Sequence, residues 1–273
     1  MKKFDGIIIC SDFDHTISSN TFKFWENDDF LSAVPQNNID AVKYFVENGG
    51  TFAIVSGRNP DEMMRVGELM PIAPYMVVSN GTALYSIKEN KAIESVTMDE
   101  SFKDVALYLC QNEPELSFLR VTDNDFIFRF YRTGGDMEEV LASAKFPVYK
   151  AIIESTNTAM VKRCFDMASA KFGDRFSVEM SGMATLEICP KGSSKGKMAK
   201  KLIDVLEYER GEKFRKVICV GDNQNDIDLV KLGDVGYAVG NAIDALKEVA
   251  DRVTVASSEG AIEYIVRDIE NEL

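Results

Sequence analysis

Ile7-Ile8-Ile9-Cys10-Ser11-Asp12-Phe13-Asp14-His15-Thr16 (IIICSDFDHT) drives an apolar run straight into two aspartates one residue apart. A short continuous apolar run closed by polar residues is the pattern of a strand buried on both faces, as in a parallel sheet. In extended chain, residues two apart point the same way. Asp12 and Asp14 would then lie on one side, about 7 Å apart at the usual rise per residue. Two carboxylates so placed repel unless a cation or a proton separates them. A hard metal ion, Mg²⁺ above all, suits carboxylate and carbonyl oxygens. Taken alone, the pair is more readily read as a solvated turn with Asp14 capping a helix; its place after a buried strand and the second acidic cluster weaken that reading.

The same texture recurs on either side. NIDAVKYFVEN (38–48) has the period of an amphipathic helix and stops at Gly49-Gly50. TFAIVSG (51–57) is a second buried strand, PDEMMRVGELM (60–70) a helix and YMVVSNG (75–81) a third strand. Alternating short buried strands and helices predict a parallel α/β sheet of Rossmann-like type. Residues 84–185 differ. Strands there pair locally around turns, as in LYSIKENKAIESV and LRVTDNDFIFRFYRT, with helices between them. That is an α+β unit. From Lys191 the buried α/β pattern returns, with a helix near 194–208 and a strand at 216–222. The expected organisation is a discontinuous core, 1–83 with 186–273, interrupted by an inserted domain at 84–185.

Open parallel sheets bind ligands at the carboxyl ends of their strands. Four predicted strand ends carry polar residues: SDFDHT, then Ser56-Gly57-Arg58, then Ser79-Asn80-Gly81, then GDNQND with Asp222, Asn225 and Asp226. Asp222 and Asp226 fall on one face if a helix begins there, although helix capping alone accounts for them. Lys195 sits in the first turn of a predicted helix, where a cation opposes the helix dipole and a phosphate is welcome. A solvated lysine among Lys191, Lys197, Lys200 and Lys201 is the plain alternative. The Ser56 hydroxyl and the amides near it can hold a phosphoryl oxygen; a simple Ser-Gly turn explains them too. PKGSSKGK does not satisfy the P-loop spacing, and GDNQND lacks the glycine of a calcium-binding loop. Together the residues supply a carboxylate nucleophile, a second carboxylate, a metal site, a cation and a hydroxyl. Phosphoryl transfer asks for that set, because positioning and charge stabilisation do most of its catalysis.

DFDHT resembles the D-x-D-x-T signature of the haloacid dehalogenase (HAD) superfamily of phosphohydrolases. Ser56, Lys195 and GDNQND match its second, third and fourth motifs in order. The insertion resembles the C2-type (C2B) cap of the Cof-like subfamily, and so do VSNGT and GYAVGNAIDALKEVADRVT. The resemblance spans nearly the whole chain. It implies that Asp12 attacks phosphorus and becomes an aspartyl-phosphate, while Asp14 acts as general acid and then general base. It implies Mg²⁺ held by Asp12, the Asp14 carbonyl and Asp222, with Asp226 ligating or supporting. Ser56 and Lys195 would bind the phosphoryl group, with Gly57 beside them. Asn225 would support the fourth motif, and Arg58 and Asn80 would face the substrate. His15 departs from the pattern, in which glycine is commoner. Ser257 and Ser258 stand where asparagine is frequent. Residues 17–37, with Phe22, Phe24, Trp25 and the acidic run Glu26–Asp29, form a longer segment than usual.

Composition bounds the partners. The chain has 273 residues and a formal net charge of −13, which disfavours nucleic acid and anionic membranes as partners. The N-terminal apolar run is too short for a signal peptide, and no stretch approaches the ~18 apolar residues of a membrane span. Five scattered cysteines and a single histidine argue against structural zinc and for reduced thiols in a cytoplasmic protein. The expected activity is a Mg²⁺-dependent phosphatase acting on a small phosphorylated metabolite, a sugar phosphate or phosphorylated cofactor. A phosphomutase or phosphotransferase of the same family is the first alternative, and product analysis separates it. A non-catalytic phosphate-sensing module is the second; trapped aspartyl-phosphate without turnover would favour it.

Overall fold

The computed structural model describes residues 2–19, 29–181 and 183–273. The chain forms two compact units, residues 1–94 with 194–273, and residues 95–193. The first unit opens with β1 (Ile7–Ser11), every residue of which is buried. α1 (Gln36–Glu47) follows, burying Ile39, Val42 and Phe45 along one stripe. β2 (Thr51–Ile54) pairs parallel to β1, with Cys10 opposite Ala53 and Ser11 opposite Ile54. α2 (Pro60–Met64) is shorter than its sequence predicts, because the chain tightens into a 3₁₀ turn over Arg65–Glu68 before Pro71. β3 (Tyr75–Val78) also departs from the simple parallel expectation. Beside the end of β2 it forms an isolated parallel Val55–Val77 bridge, and along its length it pairs antiparallel with β4 (Ala83–Ser86). β5 (Lys91–Ser95) completes that three-stranded sheet.

The second unit is an antiparallel sheet with helices packed on one face. Its elements are α3 (Phe102–Asn112), β6 (Phe118–Thr122), β7 (Phe128–Arg132), α4 (Met137–Ser143), β8 (Lys150–Glu154), α5 (Thr158–Phe172), β9 (Phe176–Met180) and β10 (Thr185–Pro190). Strand order is β7-β6-β8-β10-β9. Period-two alternation sends Leu119, Val121, Ala151, Ile153, Leu186 and Ile188 into a core shared with Val105, Leu109, Val161 and Cys164.

The first unit resumes at α6 (Lys195–Arg210), whose N-cap is Ser194, with its side chain accepting from the Lys197 amide. Gly211, at φ +75°, ends the helix in the left-handed conformation that glycine adopts at little cost. β11 (Lys216–Gly221) runs parallel beside β1. After it come α7 (Ile227–Val230), β12 (Val235–Ala238), the single helical turn α8 (Asp244–Lys247), the two-residue β13 (Arg252–Val253) and α9 (Ala261–Asn271). The parallel sheet reads β13-β12-β11-β1-β2, so β1 sits inside it and ends between β2 and β11. Asn38 of α1 fastens one side of this sheet: its Nδ2 donates to the Ile17 carbonyl and its Oδ1 accepts from Ile262 at the start of α9. Residues 20–28, including Phe22, Phe24, Trp25 and most of the acidic run, lie outside the described residues. All five cysteines are free thiols. No described helix is long and apolar enough to cross a membrane.

Candidate active site

Because β1 and β11 are parallel neighbours in register, with Ser11 opposite Val220, their carboxyl ends deliver Asp12 and Asp222 to the same place. The Asp12 amide donates to the Val220 carbonyl at 3.0 Å and so continues the ladder by one more bond. Carboxylate oxygens of Asp12, Asp222 and Asp226 all lie within 4.8 Å of one another. Lys195 reaches them from the first residue of α6. Its Nζ donates to Asp12 Oδ1 at 2.6 Å and to Asp226 Oδ1 at 2.7 Å. Lys195 is 3% exposed, Asp12 3% and Asp226 0%, so these are desolvated charges rather than surface ion pairs.

The electrostatics are unbalanced. Among the described residues, three carboxylates gather around one ammonium. Burial raises the Asp12 carboxyl to about 7; Lys195 opposes that rise, and Asp226 and Asp14 add to it. Burial, with Asp12 and Asp226, pushes Asp222 up to about 9. For Lys195 burial works against the charge, but Asp12 and Asp226 outweigh it and hold the ammonium above its ordinary range. The two aspartates therefore need either protons or a cation. Their donor chemistry fits a hard divalent ion. The Asp222 carboxylate accepts no hydrogen bond from the described residues. Asp226 is differently placed: its Oδ2 accepts from the amides of Asp222 and Asn223 at 3.1 and 3.2 Å, and its Oδ1 faces Lys195. Both Asp226 oxygens are thus engaged in shaping the loop. Gly221 permits this, since a Cβ there would lie 2.4 Å from the Asp226 Cβ.

Asp14 lies apart from the three-carboxylate group. Arg58 grips it with a fork, Nη2 to Oδ1 and Nε to Oδ2, both at 2.8 Å. Ser56 is fully buried at the end of the second strand. Its Oγ accepts from the Arg58 amide at 3.1 Å, which leaves its hydroxyl proton to donate elsewhere. The Asn80 amide donates to the Ser56 carbonyl, and the Asn80 Oδ1 accepts from Asn225 Nδ2 at 3.2 Å. Gly57 leaves room beside it: a Cβ there would stand 2.6 Å from that oxygen, so the Asn80 side chain would have to shift. Ser56, Gly57, Asn80 and Asn225 thus form one connected rim.

Several contributors carried no role in the sequence reading. The Thr16 hydroxyl donates to Asp12 Oδ2 at 3.1 Å, so both Asp12 oxygens are restrained. Asp228 accepts from the Gly196 amide at 3.1 Å and fixes the start of α6, hence Lys195. Asn241 donates to the His15 carbonyl at 2.9 Å and accepts from the Ser257 amide at 2.7 Å. The loop bearing Ser257 is thereby tied to the first motif. His15 itself has φ +57°, the left-handed region, which explains why glycine is commoner there. Glu62, whose Oε1 accepts from Arg58 Nη1 at 2.8 Å, had a visible signal: an Asn59-Pro60-Asp61-Glu62 helix start places an acid at the third helical position.

Buried acids at the ends of parallel strands thus gather around a lysine that opens a helix. The family model for haloacid dehalogenase-like hydrolases matches residues 9–266, and the chain belongs to that family. It is a phosphatase of the family, in line with its curated relatives. A provisionally named phosphatase of Buchnera aphidicola is 24% identical over 240 residues, 78% of this chain and 82% of its own length. The 5-amino-6-(5-phospho-D-ribitylamino)uracil phosphatase YwtE of Bacillus subtilis is 28% identical over 119 residues, 44% of this chain and 40% of its own. A haloacid dehalogenase-like hydrolase from Bacteroides thetaiotaomicron superposes with a TM-score of 0.72 at 20% identity, covering 99% of this chain and 100% of that one.

Proposed function

We propose that the protein hydrolyses a small phosphomonoester, a sugar phosphate or phosphorylated cofactor, through an aspartyl-phosphate on Asp12, with Mg²⁺ as cofactor. The observation that carries this reading is the Asp12–Lys195–Asp226 arrangement with Asp222 beside it, a buried excess of carboxylate around one fixed cation. Asp12, Asp222 and the Asp14 carbonyl would hold the metal, with Asp226 supporting. When bound, the ion offsets the carboxylates and draws charge from the phosphoryl oxygens. An Asp12 oxygen attacks phosphorus; the bond to the leaving alcohol breaks, and Asp14 gives that oxygen its proton. In the second step water attacks the same phosphorus, Asp14 takes its proton, and the Asp12–phosphorus bond breaks. Lys195 and the Ser56 hydroxyl hold the phosphoryl oxygens throughout. The second unit serves as the cap in this reading, with the C2B type the resemblance implies. The name of the B. subtilis relative, a phosphatase of a phosphorylated ribityl compound, supports a sugar-alcohol phosphate within that class. Phosphate release from a panel of small phosphomonoesters, with and without Mg²⁺, tests it. Release that needs the metal is expected, and no release from any member by folded, metal-loaded protein would overturn the reading.

Proton linkage gives a second test. Asp12 and Asp222, ordinarily near 3.8, keep their protons to about 7 and about 9 in the folded chain. Across that window the metal-free native state binds more protons than the unfolded state, so stability present below pH ~4 is lost as pH rises towards ~9. A cation at the cluster takes the place of those protons. The rise in Tm on adding Mg²⁺ is therefore expected to grow from pH 5 to pH 9. A rise that is flat with pH would place the ion elsewhere.

A further inference from the structure

Arg58 is bound on three sides by groups that fix its plane. Its Nε and Nη2 face Asp14, its Nη1 faces Glu62 Oε1 at 2.8 Å, and its guanidinium lies over the Phe30 ring, 4.5 Å from the centroid. Its side chain is 8% exposed. Its backbone is held too: the amide donates to Ser56 Oγ and the carbonyl accepts from the Ser79 amide at 2.9 Å. Glu62 is equally fixed, since its second oxygen, Oε2, accepts from the Asn59 amide at 3.1 Å. A planar fork aims a carboxylate far more closely than a flexible ammonium does. The chain of contacts runs from a helix start, through Glu62 and Arg58, to the carboxylate that must meet the leaving oxygen.

We propose that Glu62 is a positioning residue for the acid–base step: by fixing the Arg58 fork it sets the direction of the Asp14 carboxyl group. The inference rests on the assignment of Asp14 as general acid under Proposed function. It gives Arg58 a task other than substrate contact, because the fork is already engaged on Asp14 and Glu62.

Glu62→Gln isolates the contact. The glutamine oxygen can still accept from the Asn59 amide and preserve the helix start. Its NH₂ then meets Arg58 Nη1 donor to donor, so the fork loses its outer anchor. The readout is kcat/KM, which reports the first chemical step, over substituted phenyl phosphates from p-nitrophenyl to unsubstituted phenyl. A misaimed acid matters most where the leaving oxygen is most basic. The loss in Glu62→Gln is expected to be at least tenfold greater for phenyl than for p-nitrophenyl phosphate. Arg58→Lys, which keeps the charge without the fork, should show the same slope, and Glu62→Gln added to it should change little further. A uniform loss across the series, or full additivity of the two changes, would overturn the proposal. Asp14→Asn in the same series separates the two levels. Steep leaving-group dependence there with a flat Glu62→Gln series rejects only the positioning role, whereas a flat Asp14→Asn series rejects the acid assignment beneath it.

Discussion

The Asp12→Asn variant is expected to stay folded and to lose phosphate release by on the order of 10⁴-fold or more, the scale seen when a covalent nucleophile is removed. Asparagine has the same shape: its one carbonyl oxygen can still accept from Lys195, and its NH₂ can donate to the Thr16 hydroxyl oxygen in place of the bond that Asp12 Oδ2 accepts. It cannot attack phosphorus. The stability outcome is the sharper part of the prediction. Burial makes the Asp12 charge costly in the folded chain and lifts its carboxyl to about 7. At pH 8, without metal, that charge opposes folding, and Lys195 keeps its second partner in Asp226. Neutralising position 12 should therefore leave the metal-free Tm at pH 8 equal to the parent's or higher, while activity disappears. Thermal unfolding and phosphate release on one preparation check both. A folded variant that retains a tenth of the parent rate would remove Asp12 as nucleophile, and a large fall in Tm would show that the Lys195–Asp12 pair stabilises more than its burial costs.

Much of this site is legible in the chain because its parts are local. A buried run such as Ile7–Cys10 announces a strand, and the residues after it must lie at a strand end. Parallel pairing then brings Asp12 and Asp222 together, although 210 positions separate them. Local patterns overreach where length is decided by tertiary packing. The helix expected over 60–70 ends at Met64, and the strand expected over 75–81 ends at Val78 and pairs antiparallel with its successor. The division of labour within GDNQND is also invisible in sequence. Whether Asp222 or Asp226 has free oxygens depends on which backbone amides the turn points inward. The Arg58–Asp14 fork is the clearest case, since it joins residues 44 positions apart and belongs to no single element. The family resemblance implies that Arg58 faces the substrate; only the folded chain shows where the guanidinium is used.

Lys195→Met is expected to fail in the opposite sense to Asp12→Asn, losing stability along with activity. The methionine fills similar space but leaves Asp12 and Asp226 buried without the ammonium to which both bind. Removing one partner of a buried ion pair typically costs about 3–5 kcal/mol, because the remaining charge is stranded. For a chain of this size that corresponds to a fall in Tm of roughly 10 °C. The sign of its pH dependence follows from the lysine's raised folded pKa. Its stabilisation is complete at every pH well below its ordinary 10.5, so the wild type carries it in full at pH 8. The variant, by contrast, can protect itself only by protonating the carboxylates, so its deficit should narrow as pH falls towards 5. Mg²⁺ should restore part of the lost Tm, since it supplies positive charge to the same oxygens. It should not restore turnover, because nothing then clamps the phosphoryl group from the α6 side. Scanning calorimetry of both proteins at pH 5 and 8, with and without Mg²⁺, separates these terms. A deficit independent of pH would mean that Lys195 stabilises the fold by packing its stem rather than by its charge.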